Sequence, residues 1–312
     1  MRELFSHIES VMRFATHRRE REQADRVALG ELARVPLSLP RGLELEWLGT
    51  AAYRLSYEGQ SIFIDPYVTR VTLGRALRPG FVMPDTTLHE RFLRPAGRVV
   101  GVLAGHTHFD HVLDLAPLVR ENNCPAYGSA SLTRLLGLYG LGDRAVEVAA
   151  HKRYEIGPFT VTFVPSLHSK LILGYAVPAD GELTCEHLDA LSPREYRCGQ
   201  VYGIHIEVAG VSFYHQGSAN LIDSEISHRG VDYFLAGIAG RRFTTRYWER
   251  ILARLEPRTV VPNHFDDFFR PLGDRQGFSL NVNLAALPDE IAAVSRDFNV
   301  AAPEVLKPVV GS

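Results

Sequence analysis

Four side chains of types that commonly bind metals fall within six residues of this sequence: His106, His108, Asp110 and His111. Neutral imidazole and carboxylate groups suit divalent zinc, manganese or iron. They follow an apolar run, residues 99–104, which is typical of a buried strand. In an extended segment, side chains two residues apart point the same way, so His106 and His108 can bind one ion. Asp110 and His111 turn toward a second position, and two adjacent metals are therefore geometrically natural.

Two further histidines stand where other predicted strands end. Residues 153–164 form a predicted hairpin whose second strand leads to His168, and residues 259–263 form a last strand followed by His264. Their positions at strand ends make both histidines candidates for the same metal centre.

The elements around the histidine-rich turn can be predicted from periodicity. Alternating apolar and polar residues predict a β-meander over residues 43–66, and a helix is expected at residues 112–119, directly after the turn. Residues 3–34 carry apolar side chains at helical spacing, and the resulting face is expected to pack on its own domain or on a partner subunit. Residues 68–95 are rich in Gly, Pro and Arg and predict a long surface loop.

We therefore expect three parts: an N-terminal helical extension over residues 1–40, a catalytic domain over residues 41–275, and a tail over residues 276–312 that packs on the domain. Within the domain, residues 176–200 are polar and contain several prolines and glycines. Such a segment interrupts the strand pattern in the way that an inserted flap does.

The composition excludes several classes of protein. The net charge is −2, with 34 basic and 36 acidic side chains, so no bulk attraction to nucleic acid is expected. No apolar stretch approaches the roughly 20 residues that a membrane span needs. The 3 cysteines match no zinc-binding spacing and are typical of a reducing compartment. A cytoplasmic location is expected.

Residues 105–111, Gly-His-Thr-His-Phe-Asp-His, resemble the H-x-H-x-D-H signature of the metallo-β-lactamase superfamily. The supporting motifs occur in that family's order: Trp47-Leu48-Gly49, Ile64-Asp65-Pro66, His168, the turn from Tyr214 to Ser218, and Pro262-Asn263-His264. The resemblance runs from about residue 43 to about residue 270. It implies an α/β fold, an αββα sandwich of two mixed β-sheets flanked by helices, with metals at the edge where the strands end. The branch most similar to these motifs includes sugar-phosphate lactonases and N-acyl phosphatidylethanolamine phospholipase D.

The resemblance also implies roles for individual residues. One metal would be bound by His106, His108 and His168. The other would be bound by Asp110, His111 and His264. One or two zinc ions are expected, with manganese or iron as alternatives. Asp65 would lie behind the ligands and orient a histidine.

Ser218 departs from the family pattern. Most members have a Gly-Asp pair where this chain has Gly217-Ser218, and the aspartate bridges both ions. A neutral hydroxyl supplies neither the charge nor the two oxygens of a carboxylate. We therefore expect one firmly bound ion at the three-histidine set and a weaker second ion.

The predicted reaction is hydrolysis of an ester, lactone or phosphodiester by a metal-activated water that Asp110 orients. Lys170, Arg241 and Arg242 are candidates for binding an anionic group of a small-molecule or lipid-like substrate. Several aromatic residues could line an apolar pocket: Tyr53, Tyr67, Phe109, Phe265, Phe268 and Phe269. Two alternatives stay open, an iron-dependent oxidoreductase and a non-catalytic metal-binding protein. A homo-oligomer formed through the N-terminal helix is a further expectation.

Overall fold

The computed structural model describes residues 16–171, 174–273, 277–280 and 282–312. Within these residues, two β-sheets of seven strands each face one another. The strands are β1 (Glu44–Gly49), β2 (Ala52–Tyr57), β3 (Gln60–Ile64), β4 (Arg98–Leu103), β5 (Ala126–Gly128), β6 (Ala145–Glu147), β7 (Arg153–Ile156), β8 (Phe159–Ser166), β9 (Val201–Val208), β10 (Val211–Gln216), β11 (Tyr233–Gly237), β12 (Thr259–Asn263), β13 (Asn299–Val300) and β14 (Val309–Val310). The helices are α1 (Arg18–Leu32), α2 (Leu73–Ala76), α3 (Thr87–Phe92), α4 (Phe109–Val112), α5 (Leu115–Asn122), α6 (Ala130–Leu138), α7 (Tyr247–Leu255) and α8 (Leu287–Ala292).

Both sheets are mixed. The first has the order β14-β1-β2-β3-β4-β5-β6, and the second has the order β13-β12-β11-β10-β9-β8-β7. In the first sheet β3, β4, β5 and β6 run parallel, whereas β14, β1, β2 and β3 are antiparallel. In the second sheet β10 to β13 run parallel and β7 to β10 are antiparallel.

The core follows from the period-two alternation of strand side chains. On β3, Ile62 and Ile64 belong to the cluster between the sheets, whereas Phe63 belongs to the cluster beneath the outer helices. Successive side chains of a strand point to opposite faces, so a strand that is covered on both sides is apolar throughout. Helices α5 and α6 supply the outer cover of the first sheet, with Leu118 and Leu135 among their buried residues.

The strand directions bring one set of strand ends together. Strands β3 and β4 run parallel in the first sheet, and β10, β11 and β12 run parallel in the second. Strand β8 is antiparallel to β9, which is antiparallel to β10, so β8 ends at the same edge as β10. The carboxyl ends of β3, β4, β8, β10 and β12 therefore open onto one edge of the sandwich.

The tail is part of both sheets. Strand β13 extends the second sheet beside β12, and β14 extends the first sheet beside β1. Helix α1 packs on this tail, because the buried carboxylate of Asp25 accepts the backbone N–H of Ala285 at 2.9 Å. The described part of the N-terminal extension thus contacts its own chain. The part of the predicted helix over residues 3–15 lies outside the described residues, and the homo-oligomer stays a prediction.

Two expected segments differ in detail from the structure. The predicted loop over residues 68–95 contains the short helices α2 and α3. The helix expected at residues 112–119 is two helices, α4 and α5, which are separated at Leu113 and Asp114. Among the helices that the structure describes, none has the length and hydropathy needed to cross a bilayer.

Candidate metal centre

The first candidate ligand set consists of His106, His108 and His168. His106 follows β4, His108 precedes α4, and His168 follows β8. One ring nitrogen from each lies within 4.8 Å of the others, and all three side chains are buried. His106 Nε2 is 3.1 Å from His108 Nδ1. The strand ends therefore bring together residues that are up to 62 positions apart in the chain.

Backbone carbonyls determine which nitrogen of two rings faces this set. His108 Nε2–H donates to the carbonyl of Pro178 at 2.8 Å, and His168 Nδ1–H donates to the carbonyl of Ser169 at 2.7 Å. A carbonyl oxygen can only accept, so the proton lies on the bonded nitrogen of each ring. The lone pairs of His108 Nδ1 and His168 Nε2 are thereby left for another partner.

The same three rings are held neutral. Burial, together with the neighbouring histidines, lowers the pKa of His106 well below its ordinary value. Burial also lowers the pKa of His108, and it lowers the pKa of His168 to about 3. Neutral imidazole is the protonation state that binds a metal, so this set fits a divalent cation such as zinc.

The second candidate set consists of Asp110, His111 and His264, and its ligand atoms also lie within 4.8 Å of one another. Asp110 Oδ2 is 3.3 Å from His264 Nε2 and 3.9 Å from His111 Nε2. Burial raises the pKa of Asp110, but the adjacent histidines outweigh it and the net pKa is lowered. The carboxylate is therefore ionised, and the rings of His106 and His111, 3.8 Å apart, place the two sets side by side.

Asp65 lies behind the second set. Its side chain is fully buried, and its Oδ2 accepts His111 Nδ1–H at 2.8 Å while its Oδ1 accepts the backbone N–H of Gly105 at 2.7 Å. Burial lowers the pKa of His111, but the carboxylates of Asp65 and Asp110 outweigh it and raise the net pKa. The bond to Asp65 leaves His111 Nε2 turned toward the second set.

Comparisons with known proteins agree with this geometry. A family model described as a β-lactamase superfamily domain matches residues 61–265. The chain belongs to the metallo-β-lactamase superfamily. A UPF0173 metal-dependent hydrolase from Polaromonas sp. is 26% identical over 258 residues, which are 74% of this chain and 84% of that protein. A second UPF0173 metal-dependent hydrolase, from Archaeoglobus fulgidus, is 25% identical over 273 residues, which are 82% of this chain and 100% of that protein.

Solved structures show the same superfamily fold. A metallo hydrolase from the archaeon Ignicoccus hospitalis has a TM-score of 0.52 at 18% identity, covering 86% of this chain and 97% of its own. The diiron β-hydroxylase CmlA from Streptomyces venezuelae has a TM-score of 0.57 at 15% identity, covering 86% of this chain and 54% of its own. The predicted superfamily and the predicted sandwich of two mixed sheets are confirmed.

Ser218, the residue that departs from the superfamily pattern, contacts the loop that carries His168. Its hydroxyl accepts the backbone N–H of Ser169 at 3.0 Å and lies 3.3 Å from the Ser169 hydroxyl. Ser218 is buried, with 4% of its surface exposed. Within the described ranges, neither candidate ligand set includes it.

The predicted substrate contact of Arg241 is not supported by the structure. Its buried guanidinium forms an ion pair with Glu290 at 2.6 Å and donates to the carbonyls of Val282 and Asn283. Burial and the positive charges of Arg241 and Arg21 lower the pKa of Arg242, which therefore lies near α1. Lys170 is exposed, two residues after His168. The interaction that holds Arg241 spans 49 positions, which no local pattern of the sequence reveals.

Residues 176–200, expected to be a flap, are packed against the domain. Leu191 and Tyr196 are fully buried, and Ser131 of α6 accepts the backbone N–H of Leu183 at 2.9 Å. The segment also contacts the candidate metal centre, because the carbonyl of Pro178 accepts the Nε2–H of His108. In the structure the segment lies beside the first ligand set, and its movement as a flap stays a prediction. Sequence reasoning missed Pro178, since a main-chain acceptor leaves no mark in the pattern of side chains.

Aromatic residues border the second set. The rings of Phe268 and His264 are 5.4 Å apart at their centroids, and Phe269 and Phe109 lie 4.2 and 6.5 Å from Phe268. These three phenylalanines are partly exposed. The other three aromatics named from the sequence are completely buried and belong to the core: Tyr53, Tyr67 and Phe265.

Proposed function

We propose that this chain is a metal-dependent hydrolase that acts on an uncharged ester or lactone carrying an apolar group. The observation that carries the proposal is the pair of adjacent ligand sets, His106, His108 and His168 beside Asp110, His111 and His264. A divalent cation bound to such residues acts as a Lewis acid and lowers the pKa of a bound water to roughly 7. The relatives from Polaromonas sp. and Archaeoglobus fulgidus are both named metal-dependent hydrolases.

The residues of the chain have separate tasks in this reaction. The three neutral imidazoles of the first set would hold a divalent cation through their lone pairs. Asp110 is ionised and accepts a hydrogen bond from the attacking water, which orients the water toward the carbonyl carbon. Asp65 holds His111 through Nδ1 and so fixes the direction of Nε2.

The surroundings of the centre support an apolar substrate group. Phe268 presents a partly exposed ring beside His264, and the partly exposed rings of Phe109 and Phe269 lie next to Phe268. Leu171, three residues after His168, is 37% exposed. Contact with these side chains removes apolar surface of a substrate from water, at about 25 cal/mol per Å². An acyl chain or aromatic ring next to the scissile bond fits this surface.

The distribution of cations supports an uncharged substrate over a phosphodiester. Phosphate recognition relies on arginine or lysine side chains that reach the anion. Arg241 is bound to Glu290, and Arg242 lies near Arg21. Of the three cations named from the sequence, Lys170 is the exposed one that follows His168, and we propose that the apolar surface of the phenylalanines contributes more to substrate binding than this single cation does.

The test is a hydrolysis panel with the purified, zinc-loaded protein. The substrates are p-nitrophenyl acetate, p-nitrophenyl octanoate, a γ-lactone and bis(p-nitrophenyl) phosphate, each measured with and without prior removal of metal by a chelator. We expect metal-dependent cleavage of esters or lactone at least tenfold faster than of the phosphodiester. His108→Ala should abolish metal-dependent cleavage, because the first set then loses one of its three histidines. His187→Ala is the matched control, since His187 lies within residues 176–200 and outside both ligand sets. Faster cleavage of the phosphodiester would refute the substrate class.

The alternatives stated from the sequence are separated by the metal content of the protein as purified, before zinc is added, and by the same hydrolysis panel. An iron-dependent oxidoreductase would retain iron on purification and absorb visible light. The similarity to the diiron hydroxylase concerns the fold alone at 15% identity. A non-catalytic metal-binding protein would give no metal-dependent cleavage of any substrate, with His108→Ala indistinguishable from the unmodified chain.

A further inference from the structure

A short polar segment after β10 contacts the loop of His168 through side chains. We call residues 216–220, Gln-Gly-Ser-Ala-Asn, the brace. Ser218 Oγ accepts the backbone N–H of Ser169 at 3.0 Å, and Asn220 Nδ2–H donates to the carbonyl of His168 at 3.2 Å. Both bonds hold the single peptide group that joins His168 to Ser169.

The brace is itself fixed. The carbonyl of Asn220 accepts the hydroxyl of Ser166 at 3.1 Å, and the carbonyl of Ala219 accepts the hydroxyl of Thr244 at 2.6 Å. Ala219 is fully buried and 4% of Ser218 is exposed. A largely buried segment that makes these bonds has few alternative conformations.

The orientation of the His168 ring also depends on Ser169. His168 Nδ1–H donates to the carbonyl of Ser169, and the N–H of that residue is the group that Ser218 accepts. Movement of Ser169 would therefore turn His168 Nε2 away from His106 and His108. Beyond Ser169, the side chains of Leu171 and Tyr175 are 37% and 63% exposed, and the brace is one restraint on the loop that carries His168.

We propose that Ser218 and Asn220 are positioning residues of the first ligand set, and that they raise its metal affinity by holding His168 in the binding orientation. Groups that orient a ligand histidine typically contribute 10- to 100-fold in metal affinity. The serine thus has a task of its own in this chain. The proposal concerns metal binding only and does not depend on the substrate class.

The test compares Ser218→Ala with Ser212→Ala in the full chain. Ser212 lies near the start of β10, the strand that precedes Ser218. Its hydroxyl likewise accepts a backbone N–H, that of Asp232 at 3.1 Å, far from the brace along this strand. Metal-free protein is titrated with Co²⁺, and both the dissociation constant and the visible absorption of the bound ion are recorded. Thermal unfolding of each metal-free variant separates loss of affinity from loss of stability.

We expect Ser218→Ala to weaken Co²⁺ binding at least tenfold and to alter its absorption, because the geometry of His168 changes. Ser212→Ala should bind Co²⁺ like the unmodified chain, even where its melting temperature falls equally. Unchanged Co²⁺ affinity and absorption in Ser218→Ala would overturn the proposal, as would equal losses in both variants. If Ser218→Ala does not fold, Asn220→Ala carries the same test through the carbonyl of His168.

Discussion

At the scale of single residues, the metal centre is defined by hydrogen bonds to its outward-facing nitrogens. His108, His111 and His168 donate to Pro178, Asp65 and Ser169 respectively. Two of these acceptors are backbone carbonyls and one is a carboxylate. Each bond fixes both the tautomer and the ring plane, so the inward nitrogens are prepared for a cation before it arrives.

Asp65→Asn is expected to weaken metal binding about 10- to 100-fold. The amide nitrogen cannot accept a hydrogen bond, so either Gly105 N–H or His111 Nδ1–H loses its acceptor. Zinc affinity of the metal-free protein, measured by competition with a chelating dye, is the readout. Asp232→Asn is a matched control, because its carboxylate also accepts a backbone N–H, from Ser212 at 2.9 Å, away from the centre. Equal affinity in the two variants would show that Asp65 does not orient His111.

The two ligand sets are expected to differ in affinity. Two divalent cations about 4 Å apart repel by on the order of 15 kcal/mol at an effective dielectric constant of about 20. In the described part of the chain, Asp110 is the one carboxylate within the two sets, and Ser218 supplies a neutral hydroxyl bonded to Ser169. Elemental analysis after dialysis should therefore find one tightly bound ion per chain. A second ion should bind only at concentrations at least 100-fold higher, and two ions retained equally would contradict this.

At the scale of elements, Asp114 joins the histidine-rich turn to the long loop over residues 68–95. This fully buried carboxylate accepts the backbone N–H groups of Val68 and Thr69 at 2.7 and 2.8 Å and pairs with His89 Nε2 at 2.8 Å. The helix predicted at residues 112–119 is broken between α4 and α5 because Pro117 lacks the N–H that would bond to the carbonyl of Leu113, and Asp114 lies at this break. The buried side chain of Asp114 points toward residues 68–95, so the histidine-rich turn, this loop and α3 are joined through one carboxylate.

His89→Gln should destabilise the protein in a pH-dependent way. Burial lowers the pKa of His89, but Asp114 and Glu121 outweigh it and raise the net pKa. A raised pKa in the folded state contributes stability that is fully present below the unfolded value of about 6.5 and is lost as pH rises through the folded value. The difference in free energy of unfolding between the two proteins, measured in urea without metal, should be larger at pH 5.5 than at pH 9. A constant difference across this range would contradict it.

At the scale of the whole molecule, the features that could be predicted from the sequence are those that local periodicity and motif spacing reveal. The strands that lead to His106, His168 and His264 are apolar or alternating segments of ordinary length, and the order of these motifs matches one superfamily. The role of Arg241 could not be found in this way, because its partner Glu290 is remote in the chain. The main-chain carbonyl of Pro178 leaves no side-chain pattern either. The cytoplasmic location stays a prediction.

The tail strands also escaped prediction, since β13 and β14 are two residues long and show no period. They nevertheless extend both sheets. Strand β14 pairs with β1 through Glu44 and Leu45, and Gly311 N–H donates to the carbonyl of Leu43 at 2.9 Å. Strand β13 covers β12, the strand that leads to His264. The fold of the metal-binding domain therefore includes residues that lie beyond its motifs.

Removal of residues 298–312 is expected to abolish cooperative unfolding or cause aggregation, because it exposes β1 and β12 as open sheet edges. Removal of residues 308–312 deletes β14 alone and should leave a folded protein destabilised by about 1–3 kcal/mol, from the lost backbone bonds. Thermal unfolding and light scattering measure both. Val310→Ser is the control, since this side chain is 57% exposed and the backbone pairing is kept. If the chain shortened at residue 297 melts at the same temperature as the full chain, the tail is an appendage and the two sheets are complete without it.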